Sequence, residues 1–475
     1  MRSAFILSLA LLAGCASSPG YRSPALQVPA SFREASDTSR STPHAVTPHV
    51  IAPDPGPQAP GPDYWEQLGD TTLNRLIAEV VRANQDVQAA EARVRATRSE
   101  RVRTLLDLTP DTRLTGSYAR QRLSSSSFPG FAAFPDQNIW DAGVSAAWDL
   151  DVFGQIRQTA QARGAMVGAA QAELRDVQVS LTAELALTYF ELRGAQEQLS
   201  VARENAENQR RTFEITRQRL DAGRGSAFDT ERAQAQLSST LAEIPAREAQ
   251  VATAQYRIGV LVGRAPPAVA AELEQPARVP ALPDVAAMGN PEAIVRDRPD
   301  VTAAERQAAA QGALVGAAKA SYLPKISIGG SAGYVAPEIR TVGAQGTLRY
   351  AVGPVISWPL LSLGRVKADV DAAQAGEDEA RARYRAVVLR AMQDLEVSIS
   401  QYRAARLRVD RLQEASAASQ HAAELALLRF KEGATDLLQV LDAQRTQLEA
   451  QDRLAQARID AGTAYAALFR ATGGR

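Results

Sequence analysis

The sequence is poor in the residues that build disulfides, metal sites and catalytic centres. It contains a single cysteine, Cys15, so no disulfide can form within the chain. Its three histidines, His44, His49 and His421, are too scattered for a histidine metal site. It also has no phosphate-binding loop, nucleophile elbow or histidine pair. We therefore predict that the protein is not an enzyme and binds neither metal nor cofactor.

The charge balance and the scarcity of aromatic residues further limit the classes of protein to which this chain could belong. Lysine plus arginine (53) equals aspartate plus glutamate (53), so the net charge is zero and no nucleic-acid partner is indicated. Aromatic residues make up only 5% of the chain, whereas alanine, arginine, glutamine and glutamate are abundant. That composition is typical of long helices rather than of a compact α/β core.

The N-terminal apolar run is short. Arg2 precedes AFILSLALLA, which is too short to cross a bilayer and is typical of a secretory signal. The run ends in LAGC, which resembles a bacterial lipobox, and predicts a signal peptide at 1–14 and acylation of Cys15. An ordinary signal with an incidental cysteine is the alternative. By the same resemblance, Ala16 implies sorting to the outer membrane, and residues 15–62 form a lipidated, proline-rich tether.

Two distant segments of the chain carry the same pattern. Residues 219–234 read RLDAGRGSAFDTERAQ, and residues 429–444, at a spacing of 210, read RFKEGATDLLQVLDAQ. Further matches occur in the same order, Gly116 with Gly330 at a spacing of 214, and Gly143, Trp148, Leu150 and Gly154 with Gly353, Trp358, Leu360 and Gly364 at a spacing of 210. Several matches in fixed order indicate a tandem duplication.

Each repeat is predicted to contain two strands followed by a long helical hairpin. The first repeat, 63–289, is predicted to have strands at about 112–121 and 139–150 and a helical hairpin at 155–263. The residues after this hairpin are predicted to form a linker at the equator of the molecule, before the second repeat begins. The second repeat, 290–475, has strands at about 325–335 and 347–360 and a hairpin at 365–470. The long helix of each hairpin would extend roughly 100 Å, which is typical of a coiled coil.

The strand segments alternate apolar residues with small or polar ones. Even positions are apolar in 140–150 and 348–360. This alternation fits an outer-membrane barrel and equally a half-buried soluble sheet, and the signal favours the membrane. We expect four aromatic residues at the membrane interface, Trp140, Trp148, Tyr350 and Trp358. Four strands cannot close a barrel, and an open edge in lipid leaves backbone groups unpaired, so the chain must assemble with copies of itself.

Five motifs carry a family resemblance, LAGC at 12–15, DYWEQLGDTTLNRLI at 63–77, RDRPDVTAAER at 296–306, AKASYLPKISIGGSAGY at 318–334 and RFKEGATDLLQVLDAQR at 429–445. With them the chain resembles the TolC-type outer-membrane efflux proteins, in the lipoprotein branch (NodT/OprM-like) of resistance-nodulation-division pumps. The resemblance implies a mostly α fold with a membrane β-barrel. In that fold a homotrimer forms a twelve-stranded outer-membrane barrel that continues into a long periplasmic α-helical tube.

The resemblance also implies a function. The protein would be the outer-membrane exit duct of a tripartite efflux system, lipid-anchored and extending into the periplasm. It would passively conduct small toxic or antibiotic-like compounds from an inner-membrane resistance-nodulation-division pump and a periplasmic adaptor. An outer-membrane channel for type I protein secretion is the alternative. A membrane-anchored periplasmic coiled-coil scaffold would share the lipobox and helices but would not need alternating strands.

The site residues follow from the same resemblance. It implies adaptor-contact tips at the two hairpin turns, at Arg219, Gly223, Ser226, Arg429 and Gly433. Asp442 occupies the position of a periplasmic gate acid, with Gln439 and Asp436 nearby. Three copies of Asp442 would form a repulsive carboxylate ring that protonation or bound cations could perturb.

A hairpin latch is implied less completely. Asp229 matches a family acid that latches neighbouring hairpins, but Thr435 stands where the family has the basic partner. Arg219 or Arg429 could substitute for that missing base.

Overall fold

A computed structural model describes residues 64–122, 135–284 and 290–474. The predicted signal peptide, Cys15 and the tether lie outside these residues. Within the described residues, one compact unit contains residues 93–171 and 303–385, and a second contains the remainder. The four strands belong to the first unit, and the two hairpin turns belong to the second.

Except for the short helix Pro266–Glu272, the strands and α-helices of the described residues occur twice in the same order. The strands are β1 (Asp111–Gln121), β2 (Gln137–Leu150), β3 (Lys325–Ala336) and β4 (Leu348–Ser357). The helices are α1 (Thr71–Ala83), α2 (Gln85–Leu106), α3 (Gln155–Asp221), α4 (Ala227–Leu261), α5 (Pro266–Glu272), α6 (Pro291–Asp297), α7 (Pro299–Ala320), α8 (Leu363–Lys431) and α9 (Leu437–Ala471). Within the described ranges, no helix contains an apolar stretch of the length that a membrane crossing requires.

The sheet is antiparallel, in the order β1-β2-β3-β4. β1 and β2 pair within the first repeat, with Asp111 opposite Ala147. β3 and β4 pair within the second, with Lys325 opposite Ser357. The repeats join through β2 and β3, where Trp148 lies opposite Ile328. β1 and β4 are therefore edge strands, and their apolar side chains are exposed, with Leu114 at 84% and Tyr350 at 78%.

Pro354 is accommodated because it lies on the edge strand β4. The N–H of Val335 donates to the carbonyl of Thr347 at 2.9 Å. The hydrogen-bonded pairs of the β3–β4 ladder therefore involve odd-numbered residues. Pro354 lies opposite Ile328, at a non-hydrogen-bonded position, so the N–H that it lacks faces away from β3. The proline costs no ladder hydrogen bond within the chain.

The long helices α3 and α8 contain 67 and 69 residues. The start of α3 is fixed by Asp151, whose carboxylate accepts hydrogen bonds from the N–H groups of Ile156 and Arg157, each at 2.9 Å. An acceptor at this position satisfies backbone donors that have no partner within the helix. The return helix α4 contains Pro245 and still continues to Leu261.

Aromatic residues anchor the first described residues to the core of the second unit. The rings of Tyr64 and Tyr465 stack at 4.5 Å. The Tyr64 hydroxyl donates to the Tyr465 carbonyl at 2.9 Å, and the Tyr465 hydroxyl donates to the Tyr64 carbonyl at 3.0 Å. Trp65 and Phe469 complete this buried cluster, with ring centroids 4.8 Å apart. Tyr64 and Trp65 therefore hold the first described residues against α9.

Asn84 and Arg298, which are 214 positions apart, cap the two return helices in equivalent ways. The Asn84 side chain donates to the carbonyl of Leu261 at 2.8 Å, at the end of α4. The Arg298 guanidinium donates to the carbonyl of Ala471 at 2.9 Å, at the end of α9. Both side chains thus satisfy a carbonyl that a helix end leaves without a partner. The arginine of the RPDV motif therefore has a structural role.

Asp176 is a half-buried carboxyl of α3 near several charges. Burial raises its pKa from 3.8, and the negative charge of Asp300 raises it further, while Arg470 and Arg298 lower it. A carboxyl whose pKa is higher in the folded state lowers stability as pH rises above its unfolded pKa.

Asp176→Asn should therefore raise Tm near neutral pH, and the gain should disappear as pH falls towards 3.8. Thermal unfolding of the detergent-solubilised protein across this pH range measures the effect. A gain that does not change with pH would contradict the assignment.

Candidate functional site

The two hairpin turns have the same backbone conformation. Gly223 has φ +66° and Gly433 has φ +75°, a left-handed conformation that side chains with a Cβ rarely adopt. The N–H of Arg224 donates to the carbonyl of Arg219, and that of Ala434 to the carbonyl of Arg429, each at 2.8 Å. These are Schellman motifs, which end α3 and α8 and direct the chain into the return helices.

The return helices begin at equivalent capping residues. The Ser226 hydroxyl accepts a hydrogen bond from the N–H of Phe228 at 3.1 Å. The Asp436 carboxylate accepts one from the N–H of Gln439 at 3.1 Å. Ser226 and Asp436 are therefore the N-caps of α4 and α9. Asp436, predicted near the gate, already has this structural role at the turn.

Arg219 and Arg429 occupy equivalent positions but have different surroundings. The Arg219 guanidinium donates to the carbonyls of Phe430 at 2.7 Å and Lys431 at 3.2 Å, at the end of α8. It also lies 4.2 Å from the centroid of the Phe430 ring. Arg429 is exposed, and its side chain has no hydrogen bond or ion pair to the described residues. Arg219 thus holds the first hairpin turn against the second, a role that the repeated glycines do not reveal.

A small apolar cluster supports this contact between the hairpins. Its buried members come from both return helices and from the end of α8, namely Ala233, Phe430, Leu437, Val440 and Leu441. Phe213 and Ile215 of α3 pack against it. The two turns of one chain are therefore packed together through apolar contacts as well as through Arg219.

The predicted gate acid has a partner within its own helix. Asp442 lies in α9, and its side chain is 64% exposed. Its carboxylate accepts a hydrogen bond from Arg445 at 2.9 Å, and this contact raises the pKa of the Arg445 guanidinium. Gln439, one turn earlier, accepts a hydrogen bond from the Thr435 hydroxyl. Sequence reasoning did not identify Arg445, although its spacing of three residues from Asp442 could have indicated the pair.

Asp229 lies in the first turn of α4 and is half-buried. Within the described part of the chain its carboxylate has no hydrogen bond or ion pair to Arg219 or Arg429. The structure of one chain therefore does not bring the predicted latch together. A carboxylate at this position is favourable for the N-terminus of α4 on electrostatic grounds.

Two of the four predicted interface aromatics form equivalent contacts in the two repeats. The indole N–H of Trp148 donates to the carbonyl of Leu108 at 2.8 Å, and that of Trp358 to the carbonyl of Tyr322 at 3.1 Å. Each indole thus joins a strand end to the turn after a helix. The Trp140 ring lies 4.5 Å from that of Tyr118, whereas Tyr350 is exposed.

The described residues contain no group of three or more histidine, cysteine, aspartate or glutamate side chains that could hold a metal ion. The two hairpin turns and the edge strands β1 and β4 are the candidate functional surfaces.

The chain is similar to outer-membrane efflux proteins over nearly its whole length. The family described as "Outer membrane efflux protein" matches residues 76–264 and 291–474. The chain is 28% identical to nodulation protein T of Rhizobium leguminosarum bv. trifolii, over 98% of this chain and 95% of that protein. It is 28% identical to the toluene efflux pump outer membrane protein TtgC of Pseudomonas putida, over 86% and 84% respectively.

A solved structure extends the same similarity to three dimensions. The outer-membrane channel OprN superimposes with a TM-score of 0.85 at 35% identity, over 97% of this chain and 99% of that chain. The predicted TolC-type resemblance is therefore confirmed, as is the fold class, a mostly helical tandem repeat of the trimeric TolC type with four strands per chain. The outer-membrane location, with extension into the periplasm, is also confirmed. The chain belongs to the outer membrane efflux protein family.

Proposed function

We propose that the protein is the outer-membrane exit duct of a tripartite efflux system. In this proposal, a periplasmic adaptor and an inner-membrane resistance-nodulation-division pump deliver small toxic or antibiotic-like compounds to it. The efflux channel role is that of the family, and the names of relatives such as the toluene efflux protein TtgC support a small-molecule cargo. Conduction is passive because energy would be supplied by the pump.

The open sheet is the observation that carries the proposal. β1 and β4 are unpaired edges, and the even-numbered side chains of β4, such as Tyr350, Val352 and Ile356, are each more than two-thirds exposed. In a bilayer, unpaired edges are costly and exposed apolar side chains are favourable. Three copies would satisfy the edges by closing a twelve-stranded barrel above a helical tube.

The turns suit the role of a docking surface for the adaptor. Each chain presents two turns of the same backbone conformation, at Gly223 and Gly433, so a trimer would present an approximately six-fold set. Phe228 and Leu438, in the first turns of α4 and α9, are exposed at equivalent positions, at 70% and 49%. Exposed apolar residues beside repeated turns fit a protein partner better than solvent.

Deletion of the gene tests the proposed role in cells. Cells without the protein should accumulate a dye or antibiotic that cognate pumps export, and the full-length gene should restore export. If accumulation is unchanged while every cognate pump is present, the protein is not the outlet for those pumps. Retention of a secreted protein instead of small compounds would favour the type I secretion function.

Cys15→Ser should abolish acylation because the thioether that carries the lipid needs the cysteine sulfur. Labelled palmitate should therefore appear in the wild-type protein and be absent from the variant. Ser17→Ala, two positions away, is a matched control that should keep the label. Label retained by Cys15→Ser would contradict the lipobox assignment.

A further inference from the structure

The charged residues of the four described strands lie almost entirely on one face of the sheet. Six of the seven occupy odd-numbered positions, namely Asp111, Arg113, Asp141, Asp149, Lys325 and Arg349. The seventh, Arg120, lies at an even position near the loop end of β1 and contacts Asp136 at 3.0 Å. Because the apolar even-numbered side chains would face lipid, the odd-numbered positions form the lumen face of the proposed barrel.

Two pairs of opposite charge lie at the helix end of the strands. Asp111 lies 3.1 Å from Arg113, and Asp149 lies 2.8 Å from Lys325. β1 and β3 begin at this end of the sheet, and β2 ends there. We name these four residues the inner belt. Its two acids and two bases give it no net charge.

The third pair, Asp141 with Arg349, spans a whole strand. Asp141 is on β2 and Arg349 is on β4, with β3 between them. One terminal nitrogen of the Arg349 guanidinium donates to both carboxylate oxygens of Asp141, at 2.6 and 2.7 Å. The residue of β3 opposite Arg349 is Gly333, which has no side chain to separate the two charges.

We name the pair Asp141–Arg349 the outer belt, because it lies nearer the loop end of the strands. Asp141 precedes Asp149 by eight positions on β2, which corresponds to roughly 26 Å. The lumen positions of β2 and β3 between the belts are uncharged and small, namely Gly143, Ser145, Ala147, Ser327, Gly329, Ser331 and Gly333. The two belts therefore contain all the charge on the lumen face of the described strands.

This arrangement differs from the one that gives a pore charge selectivity. Channels that select ions by charge use rings of side chains of one sign. In the described strands every lumen acid is in contact with a lumen base, so neither belt presents such a ring. Each belt instead presents both signs to a passing compound.

We propose that the barrel section of the duct does not discriminate its cargo by charge, and that the Asp141–Arg349 pair maintains this neutrality at the outer belt. Cationic, anionic and zwitterionic amphiphiles would pass the barrel alike. A preference for one sign would arise elsewhere in the duct, for example at the predicted Asp442 ring. The inference rests on the proposed channel, and it deepens the proposal by assigning the charge class of the cargo and the residues that determine it.

The outer belt is the sensitive point because both of its side chains are accessible. The Arg349 side chain is 42% exposed and that of Asp141 is 27% exposed. Loss of one partner would leave the other unpaired, three times in a trimer. At a salt concentration of 0.01 M the Debye length is about 30 Å, so three like charges would act across the lumen.

A cysteine on the lumen face measures the potential at the outer belt. Val335 lies opposite Asp141 on β3, so their Cβ atoms are about 5 Å apart. The full-length variant Val335→Cys in detergent would react with a cationic and an anionic methanethiosulfonate reagent at low salt. The ratio of the two rates reports the potential, since the reactivity of the thiol itself cancels. Protein without this substitution gives the background from Cys15, its one cysteine.

With the pair intact, the ratio should equal that of the small neutral thiol 2-mercaptoethanol to within about twofold. Asp141→Asn should shift the ratio towards the anionic reagent by at least about threefold, and Arg349→Gln should shift it as far towards the cationic reagent. The exchange Asp141→Arg with Arg349→Asp should restore the original ratio. Near 1 M salt, where the Debye length is about 3 Å, these shifts should disappear.

Two controls test the face and the position of the charges. Ala332→Cys, at an even position of the same strand, should react much more slowly with both reagents because it would face detergent. Arg120→Gln removes an arginine from the even face of β1 and should leave the ratio of Val335→Cys unchanged. If Ala332→Cys reacts as fast as Val335→Cys, the odd-numbered face is not the lumen face and the proposal fails.

The remaining results decide the proposal in two ways. A ratio for Val335→Cys outside the expected range would overturn the neutrality, and this measurement leaves the ion pair itself unchanged. Single variants of Asp141 and Arg349 that do not move the ratio, or that move it in the same direction, would overturn the role of the pair.

Planar-bilayer current separates this inference from the proposed function. The expected rate ratios from a protein that passes no current would support the neutral lumen face and contradict the channel. Current from the wild-type protein, with a ratio that neither Asp141→Asn nor Arg349→Gln changes, would support the channel and contradict the role of the pair.

Discussion

Asp442→Ala should raise the single-channel conductance of the protein in planar bilayers by at least about twofold. In the proposed trimer, Asp442 would lie at the narrowest part of the tube, where three carboxylates would attract cations and restrict the opening. Alanine removes both the charge and the bulk of the side chain. It also releases Arg445, which is held at 2.9 Å by the carboxylate.

A matched control separates the gate from the loss of the ion pair. Glu449 lies on the same helix and also contacts Arg445, at 2.8 Å. Glu449→Ala should therefore remove an equivalent contact and leave the conductance near that of the wild type. If Asp442→Ala conducts like the wild type, the constriction lies elsewhere. If Asp442→Ala and Glu449→Ala both raise the conductance above that of the wild type, and by the same amount, then the contacts of Arg445 control the opening and the carboxylate ring does not.

Arg298→Ala should destabilise the protein by about 3 kcal/mol, the largest effect on folding that we expect from a single polar residue. The Arg298 side chain is 8% exposed and contacts the carboxylates of Asp300 at 2.8 Å and Asp394 at 3.3 Å. It also donates to the carbonyls of Ala471 at 2.9 Å and Ala391 at 3.3 Å. Truncation would leave several acceptors without their donor in a largely buried site.

Two variants calibrate this prediction, and thermal or denaturant unfolding in detergent measures all three. Arg296→Ala removes a neighbouring arginine that is 62% exposed and 4.0 Å from Asp297, and should change stability by less than about 0.5 kcal/mol. Asn84→Ala removes the equivalent neutral cap and should cost about 1 kcal/mol. A smaller loss for Arg298→Ala than for Asn84→Ala would contradict the role assigned to the arginine.

The strands and turns could be predicted because their signals are local. A period of two in the side chains identifies a two-faced strand, and Gly223 and Gly433 identify helix ends, since few other residues adopt a positive φ. Matches at fixed spacing also predict which elements are equivalent. None of these inferences requires knowledge of which distant residues are in contact.

The partners of the charged residues could not be predicted in the same way. Arg219 and Arg429 occupy equivalent positions in the two repeats, but within the described residues only the side chain of Arg219 contacts the other hairpin of the same chain. The cap by Arg298 spans 173 positions, from the start of α7 to the end of α9. Such contacts depend on tertiary packing. The pair Asp442–Arg445 is local and was accessible to helix-spacing rules.

Planar-bilayer conductance of the purified full-length protein tests the central claim, that copies of this chain together seal a pore, most directly. We predict stepwise, voltage-stable current from the detergent-solubilised trimer. Material that dissolves without detergent, remains a single chain and carries no current would contradict the claim.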